Sequence, residues 1–542
     1  MDNTEIKTVL IDGYLDEPSC LGVPPYISPH IRYVYGALLD AGIKKENLQY
    51  YTIDLIRKNT EQYLEMMEKQ NLVLIICGTT VPGNYRGGQP ITLKEIKEIG
   101  ARLHYPRKFL GGPITLVKEQ ITGYDHLCAE IGAQDIYQIL TNKKIKKHDL
   151  PKYITRWAEK GASLTHIHPN YPRVVCELET YRGCLRQGHC LFCSEQLKNI
   201  TYQRQPEEII REVKALAKAG NHYYRLGCQT DLLLFGARRK QNKLQLQPQK
   251  IEKLYSGIRQ ADPDLKVLHL DNINPANIIK HRPRARQILK TIVKFNTPGD
   301  TAAFGLESAD PVVLEKNNIA TDPQKTFAAI KLMNKIGGKR KKGLPLLLPG
   351  LNFLHGLTGE TEKTLELNFQ FLKKILDSGL LLRRINIRQV VNPGNYPVVD
   401  IDKYSFRHYK KKINEEINLP MLKNVFPTGT ILENVLTEEQ RGETTFGRQL
   451  GTYPILVGIP GKLPLNEFFS VRVIDHGYRS ITALPWPFKY KEASIEQLTA
   501  FPGIGKNKAG EIFIQQPRNK KELKKILEPD FPFEKWKNWF CD

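Results

Sequence analysis

The chain has 542 residues, of which 41% are hydrophobic, and it carries a formal net charge of +23. This length predicts about three or four domains, and the hydrophobic fraction is ordinary for a globular protein. No apolar run approaches the roughly 20 residues that span a bilayer, and residues 1–5 lack the basic start and apolar stretch of a secretory signal. We therefore expect a cytoplasmic protein without a membrane partner.

The excess of positive charge predicts a polyanionic partner, with RNA or DNA as the first candidate. The alternative is a lysine-rich composition of the kind seen in thermophilic proteins. The absence of a membrane anchor in the sequence makes a lipid surface a weaker candidate for this charge.

Residues 1–142 alternate continuous apolar runs with amphipathic stretches. Strands are predicted at residues 8–11, 72–77 and 108–110, and a helix at 31–41. Continuous apolar runs are typical of buried parallel strands, so this part predicts a Rossmann-like, doubly wound α/β domain. The charge run of residues 143–147 predicts a solvated linker, to which we assign residues 143–169.

Residues 170–400 alternate strands and helices again, which predicts a partial (β/α)6 barrel. One intervening helix, at residues 206–219, repeats its apolar side chains at helical spacing. Functional residues of such barrels lie at the C-terminal ends of the strands. The predicted strands are 174–177, 223–226, 267–270, 302–304, 344–348 and 385–387.

The composition changes after the barrel. Residues 425–487 are rich in Gly, Thr and Val, and short strands are predicted at 452–458, 468–473 and 480–484. Short strands separated by turn signals are typical of a small β-barrel. Residues 488–542 are predicted to be helical and are basic.

Three of the nine cysteines, Cys184, Cys190 and Cys193, fall within ten residues, whereas the others are scattered. An odd number without regular spacing argues against a disulfide framework. Three thiolates can hold three irons of a cubane cluster and leave the fourth iron open. The alternative is a zinc site with His189 or Cys176 as fourth ligand, although zinc sites usually pair two short Cys-x2-Cys hooks.

The segment from Glu179 to Cys193, which reads ETYRGC and ends in CLFC, resembles the cluster-binding loop of the radical S-adenosylmethionine (SAM) superfamily. The resemblance implies a [4Fe-4S] cluster on the three cysteines and SAM at the open iron. It also implies that Phe192 lies near the adenine. The first gap between cysteines has five residues here instead of the usual three.

A second segment of the same superfamily follows the second predicted strand. Gly227, Gln229 and Asp231 stand where relatives contact the SAM amino group, with the acid displaced to Asp231. The third strand ends in a polar stretch that could contact substrate or SAM. We favour a capped turn there, with Asn274 as N-cap and Pro275 at the first helical position.

Two more segments match in order, and each follows a predicted strand. By the resemblance, Glu307 and Ser308 contact the ribose and the methionine part of SAM. Gly356 and Glu360 belong to a glycine motif near the adenine. Glycine-rich turns after strands are common, so the order of the segments carries the resemblance.

The N-terminal domain resembles the Rossmann-like domains that bind cobalamin, or that carry an auxiliary cluster in tRNA methylthiotransferases. A Gly-Gly-Pro element at residues 111–113 matches the cobalamin type, but the histidine motif that ligates cobalt in many such domains is not visible. Cys20, Cys77 and Cys128 could hold a second Fe-S cluster, and the alternative is three separate buried cysteines. Residues 12–26 predict a fixed loop that faces the barrel mouth, or a structural interdomain loop.

Residues 425–487 loosely resemble the small RNA-binding barrel of methylthiotransferases. Two predicted turns, 447–451 and 475–480, carry Arg, His and Tyr side chains that suit phosphate contact and base stacking. The alternative is a surface β-domain with ordinary turns.

Residues 498–509 match a helix-hairpin-helix motif. Gly503 and Gly505 permit a tight hairpin whose backbone N–H groups bind a phosphate at a helix N-terminus. Lys506 and Lys508 add positive charge. The alternative is a hairpin that contacts another protein.

Over nearly its full length the chain resembles the archaeal-type radical SAM family with a C-terminal helix-hairpin-helix motif. The resemblance implies cleavage of SAM to a 5′-deoxyadenosyl radical, with an electron from ferredoxin or flavodoxin. We expect the radical to modify a nucleotide of structured RNA, such as tRNA or rRNA, by methylthiolation or methylation. The alternatives are a cobalamin-dependent methylase of a protein or small molecule, a zinc-dependent nucleic-acid-binding protein, and a DNA substrate.

Overall fold

The computed structural model describes residues 3–17, 20–78, 86–116, 121–186, 188–198, 201–241, 243–390 and 396–541. Three units follow one another along the chain: a parallel sheet, a partial barrel, and a closed β-barrel with terminal helices. None of the helices in these ranges is both long enough and apolar enough to cross a lipid bilayer.

The first unit is a five-stranded parallel sheet with helices on both faces. Its strands lie in the order second, first, third, fourth, fifth. In the third strand, Leu74 and Ile76 enter one core while Val73 and Ile75 enter another, which explains its continuous apolar run. The predicted doubly wound domain is therefore confirmed. The strands are Thr8–Asp12, Leu48–Thr52, Leu72–Ile76, Arg107–Gly111 and His126–Leu127, and the helices are Pro29–Asp40, Ile53–Lys58, Thr60–Glu68, Leu93–Arg102 and Ala133–Thr141.

The prediction of a linker over residues 143–169 is wrong. This segment contains the helix Leu150–Gly161, which crosses the helix Pro29–Asp40. Gly36 and Gly161 lie at the crossing, and a Cβ atom on either would overlap the backbone of the other helix. The charge run before the helix is solvated, but the segment after it is packed into the core.

A short strand of the N-terminal unit joins the barrel sheet. Tyr26–Ile27 pairs in parallel with Val175 and Cys176 of the first barrel strand. The loop predicted over residues 12–26 is therefore an interdomain connection, and it also contains the hairpin of Asp16–Glu17 with Cys20–Leu21.

The six predicted barrel strands are present and parallel, but the fifth, predicted at 344–348, runs from Leu347 to His355, because Leu344–Pro345 pairs instead with Arg340–Lys341 in an antiparallel hairpin. The first three, together with Tyr26–Ile27, form a four-stranded sheet, and the last three form a second sheet. One bridge between Asn272 and Ala303 joins the two sheets. Among the described residues no pairing joins Tyr26–Ile27 to the sixth strand, so the barrel is partial. The six strands are Val175–Glu179, Tyr223–Gly227, Val267–Leu270, Asp300–Glu307, Leu347–His355 and Arg384–Gln389.

Proline fixes where most of the barrel helices begin. Each of them except the last has a proline in its first turn. In the first turn the missing N–H of proline costs no helical hydrogen bond. Asn274 caps the helix Pro275–Lys280 by accepting from the Ala276 amide at 2.9 Å, which confirms the predicted capped turn. The helices are Pro206–Lys218, Pro248–Ala261, Pro275–Lys280, Arg282–Phe295, Pro311–Lys316, Pro323–Gly337 and Glu362–Asp377.

The C-terminal third contains the predicted small β-barrel, which is closed. Its strands are Ile431–Arg441, Thr444–Gln449, Leu456–Pro460, Phe468–His476 and Ser480–Pro485, in the order first, second, third, fifth, fourth. The helical segments Lys403–Ile413, Asn414–Asn418 and Leu419–Val425 connect it to the partial barrel. The remaining elements are the helices Ile495–Ala500, Lys506–Gln515, Lys520–Leu527 and Phe533–Trp536, and the paired strands Phe488–Lys489 and Phe540–Cys541.

We expect Gly36→Ala to lower the apparent melting temperature by several degrees, because the added methyl group must separate two helices in contact. Overpacking of this kind costs about 1–3 kcal/mol or more. Gly510→Ala is the matched control, since no atom lies within 4 Å of its Cβ position and alanine favours a helix. Thermal unfolding followed by circular dichroism measures both variants. Equal melting temperatures for Gly36→Ala and the wild type would contradict the close crossing.

Candidate active site

The three clustered cysteines lie in the loop that follows the first barrel strand. Cys184, Cys190 and Cys193 are all partly buried, and the Cys193 amide donates to the Cys190 carbonyl at 3.1 Å. Arg186 Nη1 lies 3.2 Å from Cys190 Sγ. Burial raises the pKa of Cys190 to about 11, against the opposing effect of Arg186, so the thiolate needs a metal to form at neutral pH.

The separation of these thiols fits a cluster better than a single zinc ion. Tetrahedral zinc–thiolate bonds of ~2.3 Å bring sulfur atoms to about 4 Å from one another. Among the described residues, Cys184, Cys190 and Cys193 do not form a group whose ligand atoms all lie within 4.8 Å. Cys176 faces Arg32 and Glu212, whose charges act on its thiol. A cubane cluster, which takes three thiolates on three separate irons, matches the three cysteines.

Two asparagines that the sequence did not single out hold the cluster loop. The Leu191 amide donates to the Asn317 carbonyl at 3.2 Å, and Asn318 Nδ2 donates to the His189 carbonyl at 2.9 Å. Arg186 Nη2 donates to Asn318 Oδ1 at 3.1 Å. The segment after the fourth strand thus fixes the loop, a long-range contact with no local sequence signal.

The second-strand segment lies directly beside the cluster loop. Thr230 hydrogen-bonds the Cys184 thiol, and Thr180 Oγ1 donates to Gln229 Oε1 at 3.2 Å. Gly227 faces Glu177 so closely that a Cβ atom would overlap the Glu177 carboxylate. This position therefore requires glycine.

Asp231, in the same segment, stabilises its own turn. Its Oδ1 accepts from the Leu233 amide at 3.0 Å, and its Oδ2 accepts from Asn277 Nδ2 at 2.7 Å. Burial raises the pKa of Asp231 to about 7, against these hydrogen bonds. Both oxygens are in use within the protein, and the predicted contact with the SAM amino group stays a prediction.

Glu307 and Ser308 stand at the end of the fourth strand. Glu307 has a left-handed backbone (φ 65°) that follows a register shift in the sheet. Burial raises the pKa of Glu307 to about 8, with Arg388 opposing, and its charge also acts on Cys190. Ser308 Oγ accepts from the Asp310 amide at 3.1 Å and is buried.

The fifth-strand segment forms a loop organised by Glu360. Glu360 Oε2 accepts from the Gly356 amide at 2.6 Å and the Leu357 amide at 3.2 Å, and Oε1 pairs with His355. Gly356 has φ 91°, which favours glycine. An open groove of about 380 Å³ lies against Gly356 and Val390.

Tyr396 connects this loop to the cluster loop, and sequence reasoning missed it. Its hydroxyl accepts from the Thr358 amide at 2.8 Å and donates to Asn317 Oδ1. Its ring lies 6.3 Å from the ring of Phe192, centre to centre. Phe192 is therefore beside the fifth-strand segment, which is the arrangement that the resemblance implies for an adenine site.

The C-terminal β-barrel reaches into the mouth of the partial barrel through residues 450–453. The Thr452 amide donates to His269 Nδ1 at 2.8 Å, and the Tyr453 hydroxyl donates to Asp271 Oδ1 at 3.2 Å. Tyr26 of the N-terminal unit donates to the Gly451 carbonyl at 2.5 Å. These residues lie beside the gap between Tyr26–Ile27 and the sixth strand, where the barrel has no strand pairing among the described residues.

This contact corrects the prediction that residues 447–451 form an exposed, phosphate-binding turn. The first three belong to the strand Thr444–Gln449, where Arg448 is 9% exposed and pairs with Glu438 at 2.8 Å. Leu450 and Gly451 are buried against other units. Residues 475–480 do contain an exposed turn, and it carries Tyr478 and Arg479.

Cys20 lies beside Cys228 and Glu177, with one ligand atom of each within 4.8 Å of the others. Across the described ranges, this is the one group of three such side chains that comes so close, and it contains neither Cys77 nor Cys128. The second cluster predicted on Cys20, Cys77 and Cys128 stays a prediction without geometric support.

The edge of the N-terminal sheet at which cobalamin binding is predicted contains the expected glycines, but they are packed against protein atoms. Gly112 has φ 95° and packs onto the Cys77 backbone, and Gly13 packs onto Ile91 and Cys77. Tyr14 occupies the turn after the first strand. These glycines accommodate protein atoms, so the described part of this edge shows no open cradle for a corrin.

The predicted helix-hairpin-helix segment consists of two helices joined by a five-residue hairpin. Gly503 has φ 90°, and Gly505 is the N-cap of Lys506–Gln515, with no atom within 4 Å of its Cβ position. Lys506 is exposed at the hairpin. The Lys508 ammonium instead contacts the Leu527 carbonyl and lies 3.7 Å from Asp530. Phosphate binding by these residues stays a prediction.

Comparisons with known proteins agree with this geometry. Residues 178–372 match the Radical SAM superfamily, and this range holds all three clustered cysteines. An uncharacterized protein of Archaeoglobus fulgidus is 39% identical over 527 residues, which cover 94% of this chain and 96% of that protein. A putative methylthiotransferase of Methanocaldococcus jannaschii is 23% identical over 336 residues, 58% of this chain and 67% of that protein.

Among solved structures, the chain is similar to TsrM from Kitasatospora setae, a radical S-adenosylmethionine methyltransferase with cobalamin and a [4Fe-4S] cluster bound. The TM-score is 0.46 at 14% identity, and the alignment covers 70% of this chain and 75% of that one.

We expect Cys184→Ala to lose most of the bound iron, because two thiolates remain where a site-differentiated cluster needs three. Anaerobic purification followed by iron and sulfide analysis measures this, with about four irons per chain expected for the wild type. Cys541→Ala is the control, since Cys541 lies in the C-terminal strand pair. Zinc without iron in the wild type would contradict the cluster assignment.

Proposed function

The chain belongs to the family of the Archaeoglobus fulgidus protein and carries a radical SAM domain, and we propose that it modifies a nucleotide of structured RNA. The observation that carries the proposal is the position of the C-terminal β-barrel, whose residues 450–453 contact the inside of the catalytic barrel. A domain in this place can hold a large substrate over the cluster loop.

The radical SAM domain indicates which chemistry the cofactors supply and which residues would hold them. A radical SAM domain uses a [4Fe-4S] cluster to cleave SAM into methionine and a 5′-deoxyadenosyl radical. Cys184, Cys190 and Cys193 would hold the cluster. Phe192 would lie against the adenine. Glu307, whose pKa of about 8 keeps a proton on the carboxyl group at neutral pH, can donate a hydrogen bond at the strand end.

Two further observations support a nucleic acid as substrate. The chain carries a net charge of +23, which favours a polyanion. The hairpin at Gly503 and Gly505 presents an exposed helix N-terminus with Lys506 beside it, a geometry that suits a phosphate. The similarity to a putative methylthiotransferase supports methylthiolation or methylation as the reaction.

An acidic electron carrier, such as ferredoxin or flavodoxin, is the proposed electron donor. Arg238, Lys240 and Arg284 line a groove of about 550 Å³. Arg239, in the same hairpin, donates from Nη2 to the Leu185 carbonyl of the cluster loop at 2.8 Å. A positively charged surface beside the cluster loop favours docking of an acidic electron carrier.

We expect Arg238→Glu to slow reduction of the cluster by reduced flavodoxin severalfold at low salt, because it places a negative charge on the docking surface. Reduction by dithionite, a small molecule, should be unchanged. Arg286→Glu, on the outer face of a neighbouring helix, is the control for net charge. If flavodoxin reduced the cluster at the same rate in Arg238→Glu and in Arg286→Glu, the proposal that flavodoxin docks at Arg238 would be contradicted.

A second candidate is a cobalamin-dependent methylase of a protein or small molecule. The strand order of the N-terminal sheet, second, first, third, fourth, fifth, is the observation in its favour, because cofactors bind at the switch point of such sheets, whereas the packing of Gly13 and Gly112 against protein atoms at this edge counts against it. The visible spectrum of the purified protein separates the candidates, since bound cobalamin absorbs where the cluster spectrum is featureless.

We expect structured RNA to stimulate formation of 5′-deoxyadenosine by the reduced enzyme, because substrate binding aligns the target with the radical. Anaerobic assays with total tRNA, rRNA or duplex DNA measure this, followed by mass spectrometry of nucleosides. Stimulation by DNA alone, or by none of the three, would contradict the proposal.

The hairpin offers a matched pair of variants for the same assay. Gly505→Asp keeps a good N-cap and puts a negative charge where a phosphate would bind. Gly510→Asp makes the same charge change in the same helix, away from the hairpin. RNA affinity about tenfold lower in Gly505→Asp than in Gly510→Asp would support contact at the hairpin, and equal affinities would contradict it.

A further inference from the structure

The sixth barrel strand turns a polar, positively charged face into the barrel. Residues in register on neighbouring parallel strands share a face, and Ala303, Gly350 and Arg384 form one such row. Asn386 and Asn352 form the next row, where Asn386 Nδ2 donates to Asn352 Oδ1 at 3.3 Å. The alternate residues Leu351 and Ile385 enter the hydrophobic core outside.

Small side chains occupy part of the inner face in this half of the barrel. The fourth and fifth strands contribute Ala303, Gly305 and Gly350 to it, while Phe304 and Leu351 enter the hydrophobic core outside. The inner face beside Arg384 therefore consists of backbone, of the Asn352 and Asn386 amides and of guanidinium groups. Such a lining suits a polar ligand.

Among the described residues no ion pair joins Arg384 to a carboxylate, although the charge of Asp16 acts on it. Its guanidinium lies 4.0 Å from the centre of the Tyr453 ring, and its Nη2 donates only to Asn386 Oδ1 at 3.3 Å. Burial lowers the pKa of Arg384, and the charges of Arg388 and Arg479 lower it further, against Tyr453 and Asp16. Arg384 is thus a partly desolvated cation, and two other cations and one carboxylate, Asp16, lie near enough for their charges to act on it.

Arg388, on the same strand, and Arg479, from the C-terminal barrel, are close enough to Arg384 for their charges to act on it. Arg388 stands near the end of the sixth strand, and its charge also acts on Glu307. Arg479 comes from the exposed turn at residues 475–480 of the C-terminal barrel. Neither forms an ion pair with a carboxylate among the described residues.

We propose that Arg384, Arg388 and Arg479 form a seat for a phosphate group of the substrate, between the catalytic barrel and the C-terminal barrel. Guanidinium groups bind phosphate through paired N–H donors, and an anion in this seat would supply the charge that three unpaired cations lack. The choice of phosphate rests on the proposed function. The seat itself rests on the three arginines.

Equilibrium dialysis of the reconstituted holoenzyme with saturating SAM tests the seat. The probes are the four ribonucleoside 5′-monophosphates, each compared with its nucleoside. We expect at least one monophosphate to bind about tenfold or more tightly than its nucleoside. Arg384→Gln, Arg388→Gln and Arg479→Gln should each lower that affinity about tenfold, the loss typical of one charge-assisted interaction.

Arg286→Gln, an exposed position on the outer helix Arg282–Phe295, removes one charge outside the seat and should leave binding unchanged. Arg479 is exposed, so its variant keeps the test valid if Arg384→Gln fails to fold. Equal binding by wild type and Arg479→Gln would overturn the proposal. A fall in SAM affinity instead would also overturn it, since the arginines would then hold the SAM carboxylate.

Succinate separates this inference from the proposed function. Binding of succinate with the same arginine dependence, in place of the monophosphates, would overturn the phosphate assignment and the nucleotide substrate together. Monophosphate binding without stimulation by RNA would support the seat and contradict only the RNA substrate.

Discussion

A buried guanidinium ties the partial barrel to the C-terminal barrel. Arg225, on the second barrel strand, lies between Glu177 of the first strand and Asp271 after the third, and all three are at most 1% exposed. Buried charges are tolerated only when opposite charges and hydrogen bonds surround them. Asp271 also accepts the hydroxyl of Tyr453, so the C-terminal domain takes part in the network. Arg225 Nε and Glu177 Oε2 are buried without a hydrogen-bond partner among the described residues, so the network is held mainly by its ion pairs.

The order of strands and helices could be predicted because periodicity is a local property. Continuous apolar runs identified the parallel strands, and Asn274 followed by Pro275 identified a helix start that the structure confirms. The helix Leu150–Gly161 was missed because the charge run before it indicates the start of a linker, although its buried residues Leu150, Ile154 and Trp157 recur at helical spacing. Residues 447–451 looked like a turn because of their glycines, yet Gly447 packs onto Leu436 within the C-terminal barrel and Gly451 packs onto His269 of the partial barrel.

Some residues of the candidate site could be predicted from the sequence and others could not. Cysteine spacing located the cluster loop, but Asn317 and Tyr396, which hold that loop, carry no spacing signal. Asp231 and Glu360 illustrate the opposite difficulty. A carboxylate after a strand can bind a ligand or cap its own turn, and both of these cap their turns. Sequence alone cannot separate the two roles, since each requires the same residue type at the same place.

The strand Tyr26–Ile27 has a consequence for where the partial barrel can open. By adding to the edge of the barrel sheet, it fuses the N-terminal unit to the first barrel strand through backbone hydrogen bonds. A hinge between these two units would have to break a β-sheet and expose its edge to aggregation. The opposite edge, Arg384–Gln389, pairs only with the fifth strand in the part of the chain described. The gap between these two edges is therefore the place where the partial barrel can widen without breaking a sheet, and Gly451 and Tyr453 of the C-terminal barrel bridge it through Tyr26 and Arg383.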